Sequence, residues 1–172
     1  MSRLLCSIVL LSPALLLFGG APGKAGHAKK KEKLITFYCP VAGMPEVKTC
    51  GCPGGYCPRR PDPTYTVDYK GAKIQLCCGQ CVTIFKKAPE QFTPIANHQL
   101  VATGQAGQFA CANCGEDLYT TTQTTVDVAG IPVMFCKAEC AKKVMNANPK
   151  ERVELVFGDK AFSRAFTWKG KK

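Results

Sequence analysis

Twelve cysteines in 172 residues exceed ordinary usage, and their spacing suggests which chemistry this chain could perform. One group reads Cys111-x2-Cys114 and then, after 21 residues, Cys136-x3-Cys140. Two close pairs separated by a hairpin bring four sulfurs to the corners of a tetrahedron, which is the geometry of structural Zn²⁺ sites. The same four residues could instead form two disulfides in an oxidising compartment.

A second group follows the same plan with one sulfur fewer. Cys39, Cys77 and Cys81 match three positions of the other group, whereas Ala42 stands where Cys114 is expected. Three thiolates suit Cu(I), a soft ion that accepts low coordination numbers. We expect this first site to be more open than the second and to exchange its metal faster.

Further cysteines leave the ligand set of the first site undecided. Cys50, Cys52 and Cys57 lie in a Pro- and Gly-rich insertion at 45–63, and Cys78 sits within "LCCGQC". Each is a candidate fourth ligand, and each could equally take part in a disulfide. Without the cysteine of the predicted signal segment an odd number remains, so at least one thiol is free, metal-bound or intermolecular.

Cys78 also admits a third chemistry. Cys78-x2-Cys81 is a C-x-x-C at a predicted helix start, where the helix dipole and free amides lower a thiol pKa, as in redox pairs. No thioredoxin-like βαβ pattern surrounds it, so thiol–disulfide exchange is the less favoured alternative. Alternation along the strand end predicts that Cys78 points away from the sulfur of Cys77, toward the insertion or solvent.

The elements that position these cysteines are repeated along the chain. The stretch 67–81 matches 126–140 at a constant offset of 59 residues, and 37–43 matches 109–115 at an offset of 72. The insertion in the first copy accounts for the difference between the two offsets. Each copy therefore has one plan: a cysteine turn, a β-hairpin and a short helix.

The secondary-structure pattern indicates an α+β fold of two tandem small modules, of zinc-ribbon or treble-clef-like type. Gly71 and Gly130 mark the hairpin bends, and helices are predicted at 80–88 and 138–147, with Met145 facing the core. Residues 96–108 are interpreted as a linker in which His98 is solvated, although it could be a spare ligand. Alternation over 153–157 predicts one more strand.

Two known families share these motifs. "FYCPVAGM" and "YTVDYKGAKIQLCCGQCVTIFKKAPEQF" resemble the YHS family over 35–95, and the second copy resembles the related TRASH domain over 109–168. The resemblance implies handling of copper, zinc or another heavy metal in trafficking, resistance or sensing. It implies as ligands Cys39, Cys77, Cys81, Cys111, Cys114, Cys136 and Cys140.

The N-terminal segment predicts export. Residues 1–28 combine Arg3, an apolar run and small residues that fit a cleavage site, which indicates a signal peptide and a periplasmic or secreted protein. The chain has a net charge of +11, and its lysines cluster near both ends of the exported part. Charged ends are usually solvated tails, so no nucleic-acid partner is expected.

Together these patterns predict a metal-binding protein that is not an enzyme. The sequence shows no Ser/His/Asp set, no phosphate-binding glycine loop and no carboxylate pair near a histidine. The expected ligand is a heavy-metal ion, copper or zinc, which the protein would carry, buffer or sequester. A membrane metal transporter or another metalloprotein is the expected partner. The alternative is a disulfide-stapled binding or structural module without metal.

Overall fold

The computed structural model describes residues 36–43, 60–118 and 121–169. The predicted signal segment 1–28 lies outside the described residues. So does most of the insertion 45–63, including Cys50, Cys52 and Cys57. The predictions made for those segments therefore stay predictions.

Helices and short antiparallel strands alternate in the described part of the chain. The strands are β1 (Asp62–Tyr69), β2 (Ala72–Leu76), β3 (Ala106–Gln108), β4 (Thr124–Val128), β5 (Ile131–Phe135) and β6 (Phe166–Trp168). The helices are α1 (Gly79–Lys87), α2 (Thr93–Ala102), α3 (Ala138–Met145), α4 (Pro149–Phe157) and α5 (Asp159–Ala165), with a 3-10 turn at Pro89–Phe92. This mixture confirms the predicted α+β class. None of the helices in these residues is long and apolar enough to cross a membrane.

The two predicted hairpins are present and have the same turn. Strand β1 pairs with β2, and β4 pairs with β5, both antiparallel. The turn residues Lys70 and Gly71 have φ of 52° and 82°, and Ala129 and Gly130 have φ of 54° and 87°. Two consecutive left-handed residues are typical of a type I′ turn, whose twist matches that of the flanking strands. Glycine at the second position lowers the steric cost of this turn.

The repeat detected in the sequence extends to the element boundaries. Strands β2 and β5 begin and end at positions 59 residues apart, and so do the starts of α1 and α3. Both predicted helices are therefore confirmed to within two residues. One side chain was assigned wrongly: Met145 is half exposed, whereas Val144 of the same helix is buried.

The predicted linker is a structured part of the core. Most of 96–108 belongs to α2 and β3, and Asn97, His98 and Gln99 are fully buried. His98 is therefore not solvated. The segment lacks a visible helical period because α2 buries polar as well as apolar side chains, so hydrophobic spacing alone does not reveal it.

The predicted strand at 153–157 is a helix. Val153, Val156 and Phe157 are the buried residues of α4, which is an i, i+3, i+4 pattern. The Asn148 side chain accepts a hydrogen bond from the amide of Glu151, whose carboxylate accepts one from the Asn148 amide. This capping box fixes the helix start, with Pro149 at the first helical position.

The two copies share one core, and Leu34–Lys172 forms a single compact unit. Helix α2 of the first half lies against α4 of the second, where the Asn97 side-chain amide donates to the Phe157 carbonyl oxygen at 2.8 Å. His98 Nε2 contacts the Ala129 carbonyl oxygen in the second hairpin turn at 3.0 Å. Lys70 of the first hairpin turn forms an ion pair with Asp159 at the start of α5.

Candidate metal centres

Each candidate centre begins with a tight turn that carries its first cysteine. These turns, 39–43 and 111–115, are called the knuckle turns below. The Gly43 amide donates to the Cys39 carbonyl oxygen at 2.9 Å, and the Gly115 amide to the Cys111 carbonyl oxygen at 2.8 Å. The two glycines have φ of 77° and 83°, in the left-handed region that disfavours other residues. The knuckle turns are therefore the same structure at an offset of 72 residues.

In each centre, a strand-to-helix junction contributes a pair of cysteines. Cys77 follows β2 and Cys81 lies in the first turn of α1; Cys136 and Cys140 occupy the same places after β5 and in α3. The residue that caps the helix is extended in both copies, with φ of −165° and −159°. A helical turn then places the two cysteines on one side of the helix start.

The second centre brings four sulfurs together. The Sγ–Sγ distances are 3.5 Å for Cys114–Cys136 and 3.7 Å for both Cys136–Cys140 and Cys140–Cys114. These three sulfurs and that of Cys111 all lie within 4.8 Å of one another. A tetrahedron with Zn–S bonds of about 2.3 Å has edges of roughly 3.8 Å. The donor set and its spacing therefore fit a thiophilic ion.

The first centre brings three sulfurs together. Cys39, Cys77 and Cys81 lie within 4.8 Å of one another, and the Cys77–Cys81 Sγ distance is 3.5 Å. Ala42, at the position of Cys114, is fully buried. The structure thus gathers all seven sulfurs that the sequence assigned to two sites, in the two predicted groups.

The expected difference in openness is reversed. All three cysteine residues of the first group are buried, whereas the second group includes the exposed Cys114 beside three buried residues. The expectation of a more open first site considered only the number of sulfurs. It did not include the packing of the shared core around Cys39 and Cys81.

The environment of the second centre separates the pKa values of its thiols. Burial raises the pKa of Cys136 to about 12, and the neighbouring thiols of Cys114 and Cys111 reinforce the effect. Burial also raises the pKa of Cys114. For Cys111, the amides of Cys136, Cys114 and Asn113 outweigh the effect of burial and lower the pKa to about 7.

In the first centre, burial and a neighbouring charge act in the same direction on one thiol. Burial, followed by the charge of Cys39, raises the pKa of Cys81 to about 12. In the metal-free protein, Cys81 and Cys136 are therefore protonated thiols at neutral pH. A metal ion that binds to either centre must displace protons, because the thiolate is the ligand.

Cys78 stands beside the first centre but outside its sulfur group. It is half-buried and caps α1, and its sulfur does not belong to the group formed by Cys39, Cys77 and Cys81. The amide of Cys81 lowers the pKa of the Cys78 thiol. The prediction that Cys77 rather than Cys78 joins the three-sulfur group agrees with the geometry. The predicted turn of Cys78 away from Cys77 does not, because the Cys78 thiol interacts with the thiols of Cys81 and Cys77. The proposed neighbours of Cys78 in the insertion lie outside the described residues.

The disulfide alternative finds no support in the described part of the chain. No two of the eight cysteines there have their sulfurs at bonding distance. The Sγ–Sγ distances of Cys77–Cys81 and Cys114–Cys136, both 3.5 Å, far exceed the roughly 2.05 Å of a disulfide bond.

The C-terminal helix α5 contacts the second knuckle turn, a role that the sequence analysis missed. Arg164 donates from Nη2 to the Ala112 carbonyl oxygen at 2.9 Å, and the Phe109 amide donates to the Ala165 carbonyl oxygen at 2.9 Å. A Cβ atom at Gly115 would lie only 2.8 Å from Arg164 Cγ, so a larger residue there would displace the arginine side chain. No motif links residues so far apart in the chain, so sequence spacing could not have revealed this contact.

Comparison with known proteins adds no family assignment. A scan against protein-family models, a search of curated proteins and a search of solved structures each found no match to this chain. The functional interpretation therefore depends on the geometry of the two centres.

Proposed function

We propose that this protein binds one soft metal ion at each of its two cysteine centres and serves to carry, buffer or sequester copper or zinc. The observation that carries the proposal is the convergence of Cys111, Cys114, Cys136 and Cys140 from a knuckle turn, a strand end and a helix. Their sulfurs lie 3.5–3.7 Å apart, too far for a disulfide bond and at the spacing of thiolates that coordinate one metal ion.

The two donor sets favour different coordination. Four thiolates in the second centre suit tetrahedral Zn²⁺, while three in the first suit Cu(I). The metal is the cargo in this proposal, and the protein supplies deprotonated sulfurs at fixed positions without catalysing a reaction. Thiol–disulfide exchange through Cys78 and Cys81 is less favoured, because Cys81 is fully buried.

The resemblance to the YHS and TRASH families supports the same function. Each half has a knuckle turn, a hairpin and a helix start, arranged around one common core, and we interpret each half as a treble-clef-like module. We further propose that residues 1–28 direct export, so that the protein meets metal outside the cytoplasm. A membrane metal transporter or another metalloprotein would be the donor or acceptor.

Native mass spectrometry of protein purified from its own compartment, without added metal, tests the proposal. It reports the bound-metal mass and the number of disulfides together. We expect two metal ions per chain, and one after Cys136→Ser. Cys78→Ser is the matched control, because Cys78 lies outside both sulfur groups, and it should retain two ions. A metal-free protein whose seven clustered cysteines are paired as disulfides would contradict the proposed function.

A further inference from the structure

Two glutamines occupy equivalent places in the two copies although they belong to different elements. Gln99 lies in α2, after the first copy, and Gln108 ends β3, before the second. We propose that they are positioning residues, each of which holds the knuckle turn of one centre and its strand-to-helix cysteine pair at the separation that metal binding requires. This inference rests on the proposed metal-binding function and adds the residues that set its affinity.

Gln99 joins the two arms of the first centre. Its Oε1 accepts from the Gln75 amide at 2.7 Å, and its Nε2 donates to the carbonyl oxygens of Gln75 and Tyr38 at 2.8 and 3.0 Å. Tyr38 immediately precedes Cys39, and Gln75 lies two residues before Cys77. A single side chain thus ties the backbone leading to one cysteine to the strand leading to the other pair.

Gln108 makes the same three bonds in the second centre. Its Oε1 accepts from the Met134 amide at 2.9 Å, and its Nε2 donates to the carbonyl oxygens of Met134 and Ala110 at 2.6 and 2.9 Å. Ala110 immediately precedes Cys111, and Met134 lies two residues before Cys136. The acceptors are therefore equivalent at both repeat offsets, 72 for the knuckle arm and 59 for the strand arm.

An amide side chain is suited to this task. It offers two N–H donors and a carbonyl acceptor, so it can pair with a strand edge as a neighbouring strand would and still donate to a third group. An apolar side chain at Gln99, which is fully buried, would leave three backbone groups without partners. Because the bonds close a bridge between the arms, the sulfurs are already close before a metal binds.

Gln105 provides a natural control in the first copy. Its side chain pairs with the amide and carbonyl oxygen of Lys73 at 2.8 and 2.7 Å, on the same strand that Gln99 contacts. Its Nε2 also donates to Thr103 Oγ1, rather than to a knuckle arm, at 2.9 Å. The equivalent of Lys73 in the second copy is Pro132, which has no amide to donate. Gln105 thus supports the strand edge without bridging the two arms of the centre.

The test compares Gln99→Leu, Gln108→Leu and Gln105→Leu in the full chain. Each is titrated with Cd²⁺ against a competing chelator and followed by ¹¹³Cd NMR, in which centres of three and four sulfurs give separate resonances. Loss of a residue that orients metal ligands typically weakens binding by about 10- to 100-fold. We expect that loss at the first centre alone for Gln99→Leu and at the second alone for Gln108→Leu. Gln105→Leu should bind at both centres as the wild type does.

Thermal unfolding of the reduced, metal-free variants separates positioning from general stability. Gln105→Leu should lower Tm without lowering Cd²⁺ affinity. An affinity loss in Gln105→Leu equal to that in Gln99→Leu, or a loss at both centres from one substitution, would overturn the proposal. If Gln99→Leu fails to fold, the test depends on Gln108→Leu, because Gln108 is only half-buried. An unchanged Cd²⁺ affinity in Gln108→Leu would then overturn the proposal. Absence of Cd²⁺ binding by the wild-type chain would instead contradict the proposed function.

Discussion

The two copies share one framework and differ in the sulfurs that it carries. Both have a knuckle turn closed by a left-handed glycine, a type I′ hairpin and a helix that starts beside the strand-to-helix cysteine pair. At the fourth vertex, the first copy has Ala42 and the second has Cys114. A framework that keeps its geometry while one sulfur is absent shows that the backbone, with its hydrogen bonds, determines where the remaining sulfurs lie.

The surroundings of the two centres differ as well. The first is enclosed, with Ala42 fully buried, whereas the second presents Cys114 at the surface. Helix α5 also supports the second knuckle turn. Arg164 donates to the Ala112 carbonyl oxygen, and the Ala165 carbonyl oxygen accepts from the Phe109 amide just before the turn. The two centres therefore differ in both sulfur number and accessibility, and the predictions below vary these properties one at a time.

The largest effect should follow removal of the second metal. A ligand present at about 1,000 times its Kd stabilises the folded state by roughly 4 kcal/mol. When Zn²⁺ is present, Cys136→Ser should therefore have a free energy of unfolding lower than that of the wild type by a comparable amount. Because α2 and α4 share one core, we expect the first copy to be destabilised together with the second. Chemical denaturation followed through amide signals of both copies measures this.

Cys78→Ser is the control for that substitution, since it removes a thiol outside both centres and should unfold as the wild type does. If the amides of 109–168 collapse while those of 60–95 stay native, the copies are independent modules and the shared core carries little stability.

A smaller effect should follow exchange of the fourth vertex. Ala42→Cys adds a thiol at the position that Cys114 holds in the other knuckle turn, and should raise Zn²⁺ affinity at the first centre by roughly tenfold, equivalent to about 1.4 kcal/mol. Cys114→Ala should lower affinity at the second centre by a similar factor. Competition with a chromophoric chelator measures both constants.

Ala42→Ser is the matched control, because serine is similar in size to cysteine and provides no thiolate. Equal affinities for Ala42→Cys and Ala42→Ser would show that residue 42 does not point at the metal.

The exposure of Cys114 also predicts a difference in the rate of metal release from the wild type, because an incoming thiol reaches the second centre first, at Cys114. The second centre should therefore release its metal to glutathione faster despite its additional sulfur.

The sequence predicted the parts of this molecule that repeat. The hairpins, the cysteine-bearing helices α1 and α3 and the grouping of seven sulfurs follow from residue spacing, because each depends on neighbours within one copy. The core between the copies did not follow: Asn97 and His98 look like linker residues until their partners, Phe157 and Ala129, are known. Such polar contacts leave no periodic signal. Helix α4 differs from the predicted strand for another reason: Val153, Leu155 and Phe157 alternate as strand residues do, whereas the helix is indicated by the capping box at Asn148 and Glu151.

The smallest effect concerns His98, which connects the two copies. Because the Ala129 carbonyl oxygen can only accept, His98 Nε2 carries the donating hydrogen. Burial lowers the pKa of His98 below its ordinary value of 6.5, although the Ala129 carbonyl oxygen and Asp127 oppose the shift. The unfolded chain therefore binds a proton that the folded chain resists, and stability should decrease as the pH falls below about 6.5.

This pH range can be separated from that of the thiols. The pKa of Cys111 is about 7 in the folded state against an ordinary value of 9, so its contribution to stability is lost as the pH falls from 9 through 7. Carboxylates titrate mainly below about pH 5. We expect His98→Gln to cost roughly 1 kcal/mol at pH 7.5 and to lose less stability than the wild type between pH 6.5 and 5.5. Denaturation curves of the two proteins, recorded at the same metal concentration, measure the difference in their free energies of unfolding. Both proteins release metal in acid, so that contribution cancels in the difference. Parallel curves would show that His98 does not couple the copies to pH.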